Sequence, residues 1–394
     1  MAQITNPGNT FGVTSITDFL PAIYQALDVV SREMVGFIPA VTHNAGAKRA
    51  AINETVMFPI APAVSLTDNT PGLYAPDEGD QTIGSSTLTI TNSKHASIRW
   101  SGEEQGGIGN SGAFDQILKD QFAQAMRAVV NAVESDLGAL YAKASRAYGV
   151  GGTTPFGTGG NFTEFAGVLG ILDDNGAPTS DRHLVLGSAA IANIRGLQSV
   201  LFKANEAGTD DLLRQGIIGN VMGLNIHNSA QVKVPTIGTG TGYQMSGSYA
   251  AGVTTIAIDT GTGTVLAGDV VVLNSGDANQ YVVNTGVTAA GSITLNMGRG
   301  ALKAGADNAT LFKISTAGAR NMCFHRSAIQ LVTRPPMMPA GGDGATDVTE
   351  VTDPISGLTF QVAMYKQYRR VKIEVGLAWG AAVVKPDHVA LLLG

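Results

Sequence analysis

SGAFDQILKDQFAQAMRAVVNAVESDLGALYAKASRA, residues 111–147, is the most regular stretch of the chain. Its apolar residues Phe114, Ile117, Leu118, Phe122, Met126, Val129, Val130, Val133, Leu137, Leu140 and Tyr141 recur at intervals of three and four, which aligns them on one face of an α-helix. Ser111 is placed to cap that helix, Asp115 sits in its first turn, Lys143 and Arg146 fall in its last turns and Gly149 follows, so both ends agree with the helix dipole. The spacing predicts one helix over 113–147, about 50 Å long at 1.5 Å per residue. A helix of that length is a strut, suited to an extended plate-like subunit on which sheets and arms lie.

The 394 residues leave ample chain for a core and two or three domains. Charged residues make up only 14%, against about 25% in ordinary soluble domains. Gly accounts for 50 positions, well above the usual frequency of about 7%. With a mean hydropathy of +0.13 and no unbroken apolar run of spanning length, this describes a soluble chain whose weakly charged surface is largely covered by other subunits. A net charge of -6 argues against a basic nucleic-acid-gripping face. The single cysteine, Cys323, excludes a disulfide framework, fits a reducing cytoplasm and reads as a small buried hydrophobe. Residues 1–10 show neither a basic nor an apolar signal region, so no secretory signal is expected.

Along the chain, 18–35 has helical spacing with Gly36 as its stop, and reads as an arm. Residues 55–60 and 87–100 are strand-like and flank a polar tip with Pro71, Gly72, Pro76, Asp77, Glu78 and Asp80. A two-stranded excursion of this kind needs a neighbour to lie on. Gly107, Gly109 and Gly112 match GxGxxG literally, but the ribose-binding acid of a dinucleotide site would fall near Glu134, inside the long helix, so the segment reads as a hinge. Short helices are expected at 163–172, 188–197 and 209–215, with extended segments at 182–186 and 225–228.

Three look-alikes are set aside. Asp173-Asp174-Asn175-Gly176 begins like a calcium loop, but its twelfth position is Leu184, so it reads as a turn. Ser188 lacks a GxSxG frame and reads as a helix cap. His183 and His227 lack metal-ligand spacing. No cofactor, metal or catalytic motif is assigned, and the chain is read as a non-enzyme.

Residues 236–315 contain no Glu, Pro or His and are dense in Gly, Thr, Val and Ile, with turn signals at the spacing of a small β-sandwich or barrel. They read as a separate inserted β-domain in which Asp259, Asp269, Asp277 and Asp307 have structural roles. Near the C-terminus, Leu358, Phe360, Val362 and Met364, then Val371, Ile373, Val375, Leu377 and Trp379, alternate as two long strands, with Lys366, Arg369 and Arg370 beside them.

This order of elements, with the segment 216–229 (GIIGNVMGLNIHNS) and the ending 379–393 (WGAAVVKPDHVALLL), closely resembles the major capsid proteins of tailed double-stranded DNA bacteriophages, in particular short-tailed phage coat proteins with an extra barrel. The resemblance implies an α+β capsid fold: an N-terminal arm (1–45), an extended loop (46–101), a peripheral domain with the spine helix (102–147 and 346–379), an axial domain (148–235, 316–345 and 380–394) and an inserted β-barrel (236–315). It implies hexamers and pentamers of the chain in an icosahedral virion shell assembled in the bacterial cytoplasm. The implied partners are a separate scaffolding protein and a portal protein, with room for a decoration protein and packaged DNA only in non-specific proximity. The chain departs from self-scaffolded relatives in lacking a long charged helical extension. Asp77, Glu78 and Asp80 are candidate contacts for Arg369 and Arg370 of a neighbour, and a merely solvated tip is the competing reading. The rival functions are an encapsulin-like container shell and, further off, a β-rich adhesin.

Overall fold

The computed structural model describes residues 35–46, 48–60, 66–69, 71, 84–109, 114–197, 218–273, 277–308, 312–313, 316–353 and 356–394. The helices expected at 18–35 and 209–215, the cap at Ser111 and the acidic tip Asp77, Glu78 and Asp80 lie outside the described residues, apart from Val35.

The architecture is α+β. Helix α1 (Gly102–Gly109) occupies the segment read as a glycine hinge. Its start is a capping box: the Ser101 hydroxyl accepts from the Glu104 N–H at 3.2 Å while Glu104 Oε2 accepts from the Ser101 N–H at 2.7 Å. Two of the three glycines of the literal fingerprint, Gly107 and Gly109, are thus helical.

The spine is helix α2 (Phe114–Gly138), followed by a 3-10 turn (Ala139–Lys143) and then by the strand Arg146–Tyr148. It is shorter than the 113–147 expected, about 38 Å at 1.5 Å per residue. Two tertiary contacts end it. A Cβ on Gly138 would lie 2.6 Å from the Gln231 carbonyl, so the next strand-linked segment presses directly on the helix backbone. Beyond it, Ser145 N donates to Val389 O at 2.9 Å, and residues 146–148 are drawn into a sheet between Val389–Leu393 and Gln280–Thr285. Sheet pairing here overrides a helical periodicity that Leu140 and Tyr141 still satisfy locally.

The apolar stripe of α2 performs as its spacing requires. Leu118, Phe122, Met126, Val129, Val130, Val133 and Leu137 are buried and join Ile98, Trp100, Ile373, Val375, Leu377 and Trp379 in the main core. Each such side chain contributes on the order of 2 kcal/mol of gross burial energy. The facing sheet is six-stranded, ordered Thr42–Ala45, Ile329–Arg334, Arg370–Val383, Thr359–Gln367 and Asp347–Thr352, with Asn92–Ser101 also paired to Arg370–Val383. Polar side chains fix helix to sheet: Trp100 Nε1 donates to Gln121 Oε1, and Trp379 Nε1 and Asn92 Nδ2 both donate to Asp136 Oδ2, each at 2.8 Å.

A twelve-stranded sheet forms the second body of the fold. Its inner strands Arg182–Leu186, Arg320–His325, Val389–Leu393 and Arg146–Tyr148 are flanked by helices α3 (Thr163–Asp174) and α4 (Ser188–Leu197), whose apolar faces pack into one cluster with Leu184, Cys323 and Leu392. Cys323 is fully buried and burial pushes its thiol up to about 12, so it is inert at neutral pH. The Asp173–Gly176 segment closes α3: Asp173 pairs with Arg182 at 2.7 Å, Asp174 pairs with Arg146 at 3.1 Å, and Gly176 takes φ 72°.

The β-rich block has its own core of Tyr243, Met245, Ile256, Ile258, Val265, Tyr281, Ile293 and Leu295. It differs from a detached barrel in one respect. Strand Gln280–Thr285 pairs with Arg146–Tyr148, which makes the block continuous with the second sheet, and Val270 and Val282 belong to the main core. Asn284 Nδ2 adds bonds to Ala142 O and Ala144 O at 2.9 and 3.0 Å. The aspartates are spent locally: Asp269 accepts from Gly238 N and Leu266 N, Asp277 from Tyr281 Oη, Asp307 from Gly247 N and Asp259 from Thr260 Oγ1.

Candidate assembly interface

Two features stand away from the packed bodies. The first is the hairpin of Thr55–Ile60 and Gly84–Thr89, a two-stranded sheet on its own. Leu88 and Ile90 are buried with Ala50, Val332 and Ala378, Val56 and Phe58 pack against them, and Met57 remains 69% exposed. Among the described residues no third strand pairs with it, and two strands alone are at best marginal in water, so its exposed face is suited to an external surface.

The second is the turn between Thr359–Gln367 and Arg370–Val383. Gln367 pairs with Arg370, which leaves Tyr368 and Arg369 as a two-residue loop. Such loops favour Asn-Gly because positive φ is required. Here Arg369 takes φ 53° without being Gly, Tyr368 is 85% exposed, and the Arg369 guanidinium lies 5.4 Å from the Tyr368 ring. A backbone cost of order 1 kcal/mol is therefore carried at a solvent-facing point, as is common where a side chain must be presented. Lys366, Arg369 and Arg370 line a groove of about 930 Å³ whose other wall includes Trp100, Glu103 and Gln105. The Gly102 N–H holds the turn by donating to Arg369 O at 3.2 Å. Of the residues singled out from sequence, Arg369 and Arg370 are thus together in one groove.

Sequence spacing gave no sign of two buried clusters. Glu134, on the spine, accepts from the N–H groups of Gly36, Phe37 and Ile38 and from Ser229 Oγ. Burial pushes this carboxyl above its ordinary range while those four donors pull it back in part. Its partners stand about a hundred positions away in the chain, so no local signal marks the role.

The other cluster joins His183 and His227, on the parallel neighbours Arg182–Leu186 and Leu224–Asn228. His183 Nδ1 faces His227 Nε2 at 2.9 Å, and His183 Nε2 faces Asp181 Oδ1 at 2.9 Å. One N–H per contact satisfies this relay with both rings neutral; protonating both rings puts two N–H groups head to head. Arg326 is within 3.4 Å of His183 and pairs with Asp181 at 3.1 Å, and His325 exerts a further like-charge effect on His183. Burial, then His183 and Arg326, hold His227 down at about 4, and His183 is lowered as well, chiefly by burial. Among the described residues no group of three or more His, Cys, Asp or Glu is arranged to hold a metal.

A pH dependence follows. The folded His227 takes its proton near pH 4, whereas the unfolded residue takes it near 6.5. The unfolded chain therefore binds more protons between those values, and this contribution is complete above about 6.5 and is lost as pH falls towards 4. Allowing for partial exposure, the loss is about 2 kcal/mol. Urea unfolding at pH 7 and pH 4 should show this loss reduced in His227→Leu, and an unchanged pH response in the variant would refute the assignment.

No family model and no curated protein matches the sequence. Among solved structures, the chain is similar to one from Mycobacterium phage Che8, at 13% identity and a TM-score of 0.43, covering 88% of each chain. It is also similar to a chain in the capsid of Cyanophage P-SCSP1u, at 13% identity and a TM-score of 0.46, covering 89% of this chain and 86% of that one. A chain of a virus-like particle from Pyrococcus furiosus is similar at 9% identity and a TM-score of 0.45, covering 95% of this chain and 99% of that one. Over 88% or more of its length, the protein is thus similar to chains of a phage, of a phage capsid and of a virus-like particle.

Proposed function

We propose that this chain is the structural subunit of a phage capsid, which self-assembles into an icosahedral shell of hexamers and pentamers around the genome. The observation that carries the reading is the two-stranded hairpin 55–60/84–89, paired with no third strand among the described residues, on a subunit built around a stiff helix and a long-stranded sheet. In the single chain Met57 of that hairpin stays exposed, and a neighbouring copy supplies a layer to cover it. The low charge fits a surface largely spent on contacts between subunits. Residues 46–101 would be the extended loop, 102–147 with 346–379 the peripheral domain, 148–235 with 316–345 and 380–394 the axial domain, 236–315 the inserted β unit and 1–45 the arm. The role is structural, and catalysis has no part in it. Assembly in the host cytoplasm, a scaffolding protein, a portal and a decoration protein belong to the same reading.

Within it, the acidic tip Asp77, Glu78 and Asp80 of one copy meets the groove of Lys366, Arg369 and Arg370 on the next. Each exposed pair contributes only about 0 to 1 kcal/mol, but the contact recurs at every subunit of a shell. Electron microscopy of the purified protein should show closed shells. Arg369→Glu with Arg370→Glu should reduce their yield severalfold, and Asp77→Lys, Glu78→Lys and Asp80→Lys together should restore part of it. A monodisperse monomer at all concentrations would overturn the shell reading, whereas normal shells from the double arginine variant would remove only the tip contact.

A further inference from the structure

Two crossings of the chain between the sheets run side by side. Arg320–His325 of the twelve-stranded sheet leads through the 3-10 turn Arg326–Ala328 into Ile329–Arg334 of the six-stranded one. Arg370–Val383 returns through the turn Pro386–His388 into Val389–Leu393. One carbonyl ties the crossings together: Ala328 O accepts from Val384 N at 2.8 Å and from Lys385 N at 3.3 Å. A histidine sits on each. His325 caps the first, its Nδ1 accepting from the Ser327 N–H at 3.3 Å. His388 closes the second, its ring edge-on to that of His325 with 6.3 Å between centroids. His183 and His227 extend the group onto the next two strands of the sheet, so four neighbouring strands or the turns at their ends supply one histidine each. Histidine is the side chain that titrates nearest neutrality, and four of the six in the chain are here, so most of the charge gained just below neutral pH is placed at this joint.

The fixed charges around the rings leave little anion to spare. Asp173 holds Arg182 at 2.7 Å, and Asp181 holds Arg326 at 3.1 Å while also facing His183. Lys385 adds a positive charge felt by both His325 and His388. Asp387, in the same turn, is turned towards Gly298 and Arg299 of the β-rich block. Burial foremost holds all four rings below their ordinary range, so they are uncharged at pH 7 and the joint is closed there.

Acid acts on this geometry at named atoms. A proton on His325 Nδ1 turns the acceptor of the Ser327 N–H into a donor, which removes the cap of the Arg326–Ala328 turn. A second charge on His388 then faces the first across the contact of the two rings. Opening lets each ring reach water, where it takes its proton near pH 6.5, so protons favour the open joint as pH falls below that value. We propose that these histidines make the joint an acid-operated release: charging them uncaps the first crossing and separates it from the second, which frees the two sheets to shift against each other. The release belongs to the single chain and does not depend on the shell reading.

Spin-label distances on the full chain test it, with one label on each sheet body at the exposed positions Glu350→Cys and Ala192→Cys; Cys323 is buried and stays unlabelled. Between pH 7 and pH 4.5 the width of the distance distribution should at least double, return on neutralisation, and do so while far-UV circular dichroism stays that of the folded chain. His325→Gln with His388→Gln, which cannot charge, should keep the pH 7 width throughout. Where that variant folds poorly, NMR of the parent decides: the Ser327 amide should move with the same midpoint as the His325 ring. An unchanged width in the parent, an equal response in the double variant, a response only where circular dichroism is lost, or a Ser327 amide that ignores the His325 titration would each overturn the release.

Discussion

Replacing Glu134 by alanine is expected to destabilise the chain by about 4 kcal/mol. The carboxylate is 1% exposed and receives the N–H groups of Gly36, Phe37 and Ile38 at 2.5, 2.7 and 3.0 Å and the Ser229 hydroxyl at 2.9 Å. Alanine leaves three backbone donors in a buried segment without an acceptor, each costing about 1–3 kcal/mol unless water enters. Part of that sum is returned because the costly burial of an anion disappears with it. Glu134→Gln, which keeps one carbonyl acceptor but turns an amide N–H₂ towards donors, should lose about half as much. Urea unfolding measures both. Hydrogen exchange at Gly36, Phe37 and Ile38 should rise in the alanine variant, since the same carboxylate fastens this entry segment to the spine. Exchange as slow as in the parent would show that the clamp is dispensable.

Trp379→Ala should cost a similar amount, about 4–5 kcal/mol, by a different route. Trp379 is fully buried between the spine helix and the sheet, on a strand that pairs with both Ile329–Arg334 and Asn92–Ser101. Its indole packs in the main core and donates to Asp136 Oδ2 at 2.8 Å, while Lys94 Nζ stands 5.5 Å from the ring. Truncation opens a large cavity at the helix–sheet contact and removes a donor that Asp136 Oδ2 shares with Asn92. Trp379→Phe retains most of the packing and should cost about 1–2 kcal/mol, chiefly the lost hydrogen bond. If the two variants were equally stable, the packing argument would fail. If the subunit is a shell component, the alanine variant should also yield few closed particles, because the spine would no longer be fixed to its sheet.

The arginine groove shows how far a sequence reading reaches. Arg369 and Arg370 stood out because they interrupt two alternating strands, and strand alternation is a local property. That they share a groove with Trp100 and Glu103 depends on Asn92–Ser101 pairing with Arg370–Val383, residue against residue, across more than 260 positions of chain. No periodicity encodes such a pairing. The capping box at Ser101 and Glu104, by contrast, joins partners only three residues apart, yet the glycines that follow make the segment read as a hinge.

The sequence by itself determined the apolar stripe from Leu118 to Leu137, the two alternating C-terminal strands, the short helices at 163 and 188 and the β character of 236–315. These follow from hydrophobic spacing and turn residues, which act over a few positions. Only the tertiary structure decided where the spine stops, because Gly138 meets the Gln231 carbonyl and residues 146–148 are claimed by Val389–Leu393 and Gln280–Thr285. It alone also brought together the Glu134 clamp and the His183–His227 relay. Buried polar groups find partners wherever the folded chain supplies them, and that distance is set by topology instead of by sequence separation.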